Sequence, residues 1–408
     1  MIEPARRSQG YQIFLVLILS LNFGILFFDR NALNFLMPFV QPDLKLSDTQ
    51  VGMLSSGLSL TWAIAGFTVG RLSDRLGSRK PILVLGTIAF CLCSVVSGLA
   101  ASFLMLLGAR ILMGVAEGGV MPVSHSIIAS EVDEAHRGLA MGVGQNLGSN
   151  VLGSTAAPLI LVPLALAYGW QAGFYMAAIP GLISAAIIWF FVAEPAPVTA
   201  KAGDSQKPTL SEAFTDRNVQ LCALISILLV SYLVLTWAFM PLYLTKDRGF
   251  SPDTVKWLMA TLGVSAGIGS FAVAWLSDRI GRRPSIIGFS ALGVILPLAA
   301  MFFMGSNWLL AAIFFIGWGL NGVFPLFMAT IPSESVDPRL TATLTGVCMG
   351  IGEVLGGVLS PLLGGKLSDL YGRDSVMWLM IVLCLLSCAV GFGLRETAPR
   401  VLAKRKLG

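Results

Sequence analysis

The sequence predicts an all-α membrane protein, with twelve transmembrane helices in two pseudo-symmetric six-helix bundles. Three observations carry this. Of 408 residues, 55% are hydrophobic and 12% are charged, against ~25% charged in an ordinary soluble domain. Twelve apolar runs reach the length of a bilayer span, ~20 residues. Several signatures also return after an offset close to 203 residues. Only helices and closed barrels satisfy the backbone in lipid, and the alternating ten-residue segments of a barrel are absent.

The runs lie near 11–40, 48–70, 81–100, 102–130, 138–167, 171–193, 219–245, 254–276, 284–304, 307–332, 341–366 and 375–394. With a cytoplasmic N-terminus, 19 of the 27 Lys and Arg fall on the cytoplasmic side and six opposite, while Arg30 and Arg110 lie within spans. That bias obeys the positive-inside rule and puts both ends in the cytoplasm, as in a bacterial-type inner membrane. The basic residues are dispersed over short loops, which excludes a nucleic-acid role. Arg6-Arg7 precede the first run without a small-residue cleavage site, so a retained helix is expected there. Six cysteines (91, 93, 222, 348, 384, 388) sit in apolar runs and read as small core residues. His125 and His136 stand outside any metal-ligand spacing, so no metal or other cofactor is expected.

The repeat divides the chain. Met37-Pro38 returns as Met240-Pro241, Gly119-Val-Met-Pro122 as Gly322-Val-Phe-Pro325, Ser130-Glu131 as Ser333-Glu334, and Pro158 as Pro361. The halves are 1–193 and 219–408, joined by a linker at 194–218. Its Glu194-Pro-Ala-Pro197 and Lys201-to-Pro208 composition reads as a solvated tether with no chemistry, with a short surface helix at 210–214. Small-xxx-small faces (Gly138/Gly142, Gly144/Gly148, Gly346/Gly350, Gly352/Gly356) predict close helix approach in the fifth and eleventh spans.

The strongest motif is Leu72-Ser-Asp74-Arg75-Leu-Gly77-Ser-Arg79, repeated as Leu276-Ser-Asp278-Arg279-Ile-Gly281-Arg-Arg283. It resembles the signature between the second and third helices of the major facilitator superfamily, and the resemblance extends over the whole chain. In that family the loop braces the cytoplasmic gate. This implies gating roles for Asp74, Arg75, Gly77 and Arg79, and for Asp278, Arg279 and Gly281. Glu131 with Arg137 and Glu334 with Arg339 are candidate ion pairs at the same end.

Four charges interrupt the first half's spans. Phe27-Phe28-Asp29-Arg30-Asn31 lies inside the first run, and the fourth reads Arg110-Ile-Leu-Met-Gly114-Val-Ala-Glu117-Gly118. A central charge costs ~2.5–3.5 kcal/mol on insertion scales and is a functional-site hypothesis by default. Arg110 and Glu117 lie on nearly one helix face, about 10 Å apart along the axis. The second half provides a control. Tyr232 falls opposite Asp29, Leu233 opposite Arg30, Ile313 opposite Arg110 and Leu320 opposite Glu117. The scaffold therefore does not need these charges in order to fold.

Asp-Arg in the first helix, with Arg-xx-Gly-xx-Glu-Gly in the fourth, is similar to the anion:cation symporter group of the superfamily, which includes sugar-acid and aromatic-acid permeases. The resemblance implies proton-driven symport of a small organic anion by alternating access. It implies that Arg30 contacts the substrate carboxylate, Asp29 and Glu117 take the proton, and Arg110 is their ion-pair partner. It also implies a monomer whose partners are substrate, protons and the bilayer. Those permeases often have a tyrosine where this chain has Trp62, which favours less polar or aromatic carboxylates. Gln145, Asn146 and Asn150 are either cavity-facing or interhelical amides, and Tyr232, Thr236, Trp237 and Asn321 form a candidate opposing wall. Glu353 is either a further proton site or an acid bound to backbone and water. Spinster-type carriers of lysolipids and sphingolipids share the Asp-Arg pattern and supply the alternative cargo. HExxH and phosphate-binding glycine motifs are absent, so an enzyme is not expected; a non-transporting sensor with the same fold would be separated by transport assays.

Overall fold

A computed structural model of the chain describes residues 8–195, 215–336 and 347–407. It contains twelve helices of membrane-crossing length and apolarity. They are α1 (Gln9–Asp43), α2 (Asp48–Ser73), α3 (Lys80–Gly98), α4 (Phe103–Glu131), α5 (His136–Tyr168) and α6 (Trp170–Phe191) in the first half. The second half has α7 (Arg217–Asp247), α8 (Pro252–Ile280), α9 (Arg282–Phe302), α10 (Asn307–Ser335), α11 (Val347–Tyr371) and α12 (Asp374–Gly391). The chain is thus an integral, multi-pass membrane protein, all helical as the hydropathy required. Its contacts form two compact units. One is Met1–Leu46 with Gly57–Lys201, and the other Ser47–Ser56 with Ala202–Gly408, so the first turns of α2 belong to the second unit. Most of the linker, including its expected helix at 210–214, lies outside the described residues.

Local chemistry sets the helix ends. Ser8, Ser102, Ser251 and Ser306 cap α1, α4, α8 and α10 by accepting a backbone N–H from three residues on. Asp216 does the same for α7, accepting from Asn218 and Val219 at 2.8 and 3.2 Å. Gly77 and Gly281 take φ of +61° and +112° at the turns after α2 and α8, a region that L side chains rarely adopt.

Inside the first unit, Asn22 of α1 is fully buried. Its amide donates to Thr87 of α3 at 3.2 Å and its carbonyl accepts from Ser184 of α6 at 2.9 Å, so three helices share one polar node. The glycine faces hold in part. α5 widens into a π-helical stretch at Ser149–Ala156, and α11 does so at the matching Gly352–Val358. A Cβ at Gly148 would run into the Ser20 carbonyl of α1, and one at Gly356 into the Ile227 carbonyl of α7. Gly138, Gly142 and Gly350 meet nothing within 4 Å among the described residues, and Gly346 lies outside them.

In the second unit, Asp369 of α11 accepts the N–H groups of Asp48 and Thr49, both at 2.9 Å, and so caps α2 from outside that helix. Arg373 bridges Asp48 at 3.0 Å and Asp247 at 3.1 Å. Burial works against the Arg373 charge, but its bonds to Asp48 and Asp247 outweigh it and hold the guanidinium above the ordinary arginine pKa.

Overpacking a tight contact costs ~1–3 kcal/mol, whereas Gly→Ala in an open helical position gains ~0.5–1 kcal/mol. Gly148→Ala is therefore expected to lower the apparent melting temperature in detergent, and Gly138→Ala to leave or raise it. Equal effects at the two sites would contradict the α1–α5 contact described.

Candidate functional site

The charged residues of α1 and α4 come together inside the first unit, but not as ion pairs. Asp29 is fully buried, and its Oδ1 accepts from the Ser94 hydroxyl of α3 at 2.5 Å. Arg110 and Glu117, seven residues apart on α4, are equally buried. Soft partners hold Arg110. One terminal nitrogen lies 3.2 Å from the Met113 sulfur, and the guanidinium sits over the Phe174 ring, 5.2 Å from its centroid. Asp29 Oδ2, Arg110 Nε and Nη2, and both Glu117 oxygens have no hydrogen-bond partner among the described residues. Arg110 lies within electrostatic reach of Asp29 and Glu117, and Arg30 within reach of Glu117.

Arg30 differs from the other three in being half-buried. Its guanidinium lies between two aromatic rings, 5.2 Å from the centroid of Trp62 and 5.7 Å from that of Phe27. Among the described residues it makes no hydrogen bond or ion pair. Trp62 also keeps its indole N–H buried without a partner. The structure thus joins Arg30 to Trp62 directly, with all five guanidinium donors left for an acceptor between or beyond the rings.

The remaining candidates are scattered over both units. Asn146 donates to the Gly142 carbonyl of its own helix at 3.2 Å, while the Gln145 side-chain amide is half-buried without a partner among the described residues. In the second unit the Tyr232 hydroxyl donates to the Gly293 carbonyl at 2.8 Å, and Thr236 donates to the Tyr232 carbonyl. Trp318, unremarked in the sequence, stacks on Tyr232 at 6.0 Å and meets Trp237 edge-on at 5.5 Å. Asn321 is half-buried three residues later, on the 3₁₀ turn Gly319–Val323 that interrupts α10. Glu353 is half-buried in the π-helical part of α11.

At the repeated loops three expectations change. The motif aligns Arg79 with Arg283, but the structure equates Arg79 with Arg282, because Ser78 makes the first turn one residue longer. Both arginines are buried and begin the next helix. Arg282 pairs with Asp278 at 2.6 Å and with Glu334 at 3.0 Å, so Glu334 has a partner other than the expected Arg339, which lies outside the described residues. Arg79 donates instead to the Ser126 carbonyl at 3.4 Å. Arg137 donates to the Val132 carbonyl at 3.5 Å. The third change concerns Glu194, expected in a tether without chemistry. Its carboxylate accepts the N–H groups of Arg79 and Lys80, at 2.5 and 3.1 Å, and Glu396 accepts those of Arg282 and Arg283, at 2.8 and 3.2 Å. Glu194-Pro-Ala-Pro197 and Glu396-Thr-Ala-Pro399 lie one repeat apart, which is the signal that would have found them. Arg75 is exposed, Arg279 lies over Trp275 at 3.8 Å, and the Asp74 side chain falls outside the described residues.

Residues 19–240 and 221–407 both match the Major Facilitator Superfamily, and the chain belongs to that family. A probable 4-methylmuconolactone transporter of Cupriavidus pinatubonensis is 30% identical over 83% of this chain and 81% of its own. The hexuronate transporter of Bacillus subtilis is 27% identical over 90% of each chain. Among solved structures, an inward-facing, unoccupied bacterial homologue of the human lysosomal transporter spinster superposes with a TM-score of 0.82. It covers 95% of this chain and 97% of its own at 22% identity, a likeness of fold alone.

An ionised carboxylate buried without a hydrogen-bond partner is destabilising, and an amide of the same shape has no charge to desolvate. Glu117→Gln is expected to melt at or above the wild-type temperature in detergent. A loss of several degrees would mean that the carboxylate is structurally paired.

Proposed function

We propose that the protein is a secondary carrier that moves a small organic anion together with protons by alternating access. One observation carries this reading: a half-buried guanidinium deep in a membrane span, flanked by two aromatic rings and, among the described residues, hydrogen-bonded to no acidic side chain. Arg30 would hold the substrate carboxylate, and the Trp62 and Phe27 rings favour a flat or weakly polar organic acid over a densely hydroxylated one. The cargoes for which the relatives are named, 4-methylmuconolactone and hexuronate, are both organic acids.

Asp29 and Glu117 would carry the proton, with Arg110 as the counter-charge they share. A cation near a carboxylate stabilises its ionised form. An anion that neutralises Arg30 withdraws that support from Glu117, so substrate binding favours proton uptake. Glu353, Gln145, Asn146, Tyr232, Trp237 and Asn321 remain candidate contacts, and the loops at 74–79 and 278–282 candidate gate braces. We further place both termini in the cytoplasm of a bacterial-type inner membrane, with the carrier working as a monomer. A lysolipid cargo draws on the Asp-Arg pattern alone, since the spinster likeness concerns the fold.

Reconstituted liposomes test the proposal. Hydrogen bonds to a charged group contribute ~1.5–3 kcal/mol, so Arg30→Ala is expected to weaken carboxylate uptake by about ten- to a hundredfold. Asp29→Asn and Glu117→Gln should lose proton-driven accumulation and keep substrate exchange. Uptake of lysolipid but of no carboxylate, or accumulation intact in both acid variants, would overturn it.

A further inference from the structure

We infer that Ser94 is a positioning residue that reads the protonation state of Asp29 and passes it to α6. The inference rests on the proton role proposed above for Asp29. Ser94 is fully buried, with its Oγ 2.5 Å from Asp29 Oδ1 and 3.0 Å from the carbonyl oxygen of Phe174 on α6. A hydroxyl carries one hydrogen and two acceptor lone pairs, so it donates to one of these neighbours at a time. The charged acceptor makes the stronger bond, and Ser94 therefore donates to Asp29 while Asp29 is ionised. When a proton arrives on Oδ1, the carboxyl donates to Ser94 Oγ, whose own hydrogen swings to the Phe174 carbonyl. One proton is taken up, all at Asp29, and the serine only turns.

Phe174 is placed to feel that turn. Its ring face carries the Arg110 guanidinium at 5.2 Å, and its edge abuts Trp170 at 5.9 Å. One residue of α6 thus joins the acid of α1 to the cation of α4. The charged and titratable groups acting with Asp29 are Arg110 and Glu117 of α4 and the Cys91 and Cys93 thiols of α3, while Arg30 of α1 acts with Arg110 and Glu117. Among the described residues, only the Ser94 side chain is hydrogen-bonded to the carboxylate.

The second half holds the same helix pair together without a switch. Tyr232, opposite Asp29, donates to Gly293 of α9, and the position opposite Ser94 is Pro297, which has no hydroxyl. A fixed neutral donor meets the packing need there. In the first half an acid and a rotatable hydroxyl stand in its place.

Infrared titration of the full-length protein in lipid nanodiscs tests this without knowing the substrate. A protonated-carboxyl band missing from Asp29→Asn reports Asp29. Ser94→Ala removes a hydrogen bond to the ionised form, so the band's midpoint is expected to rise by about one pH unit and its stretching frequency to increase. Ser94→Thr, which keeps the hydroxyl, should restore both. Should the alanine variant not fold, Ser94→Cys, with its weak donor, carries the same comparison. A midpoint and frequency indifferent to loss of the hydroxyl overturn the switch and leave the proton role standing. Absence of any band lost in Asp29→Asn overturns the proton role itself.

Discussion

A charge within the hydrocarbon layer has to be answered from inside the protein, and the arrangement of the first unit follows from that constraint. Asp29, Arg110 and Glu117 are withdrawn from lipid completely, yet they are not neutralised by direct ion pairs. A hydroxyl holds Asp29 instead, and a thioether and an aromatic face hold Arg110. Each of these partners is weaker than a carboxylate–guanidinium contact. Locked pairs would be indifferent to one added charge or proton. Groups kept within reach, but not in contact, stay responsive to both.

The duplicated architecture separates what folding demands from what chemistry demands. Tyr232 and Gly293 connect α7 to α9 with a neutral hydrogen bond, where Asp29 and Ser94 connect α1 to α3 with an ionisable one. Near the repeated loop motifs the two halves agree closely, because Glu194 and Glu396 do the same work at equivalent helix starts. They differ again in the buried arginine. Among the described residues, Arg282 meets the carboxylates of Asp278 and Glu334, and Arg79 meets the Ser126 carbonyl.

The fold was legible because its signals are repetitive and one-dimensional: apolar length, charge bias between loops and a 203-residue echo. Asp29, Arg30, Arg110 and Glu117 were legible for a related reason, since a charge in an apolar run stands out without knowledge of its neighbours. Ser94, Met113 and Phe174 were not. A serine, a methionine and a phenylalanine are ordinary in a membrane helix, and what distinguishes them is whom they touch. Trp318 escaped notice for the same reason. Glu194 was hidden by composition, because Pro and Ala around it resemble a tether, whereas its carboxylate reaches 115 residues back along the chain. The Arg79–Arg282 equivalence was obscured by a single extra residue in a turn, which a motif alignment that begins at the preceding aspartate places wrongly.

Glu194 and Glu396 lie just past the last helix of their respective halves, yet each completes the amino end of that half's third helix. In each half these acceptors come from chain that follows three further membrane segments, so until those are made water alone can serve the third helix's first donors. The bond between a half's third helix and its far end therefore exists only in a half that has all six of its helices.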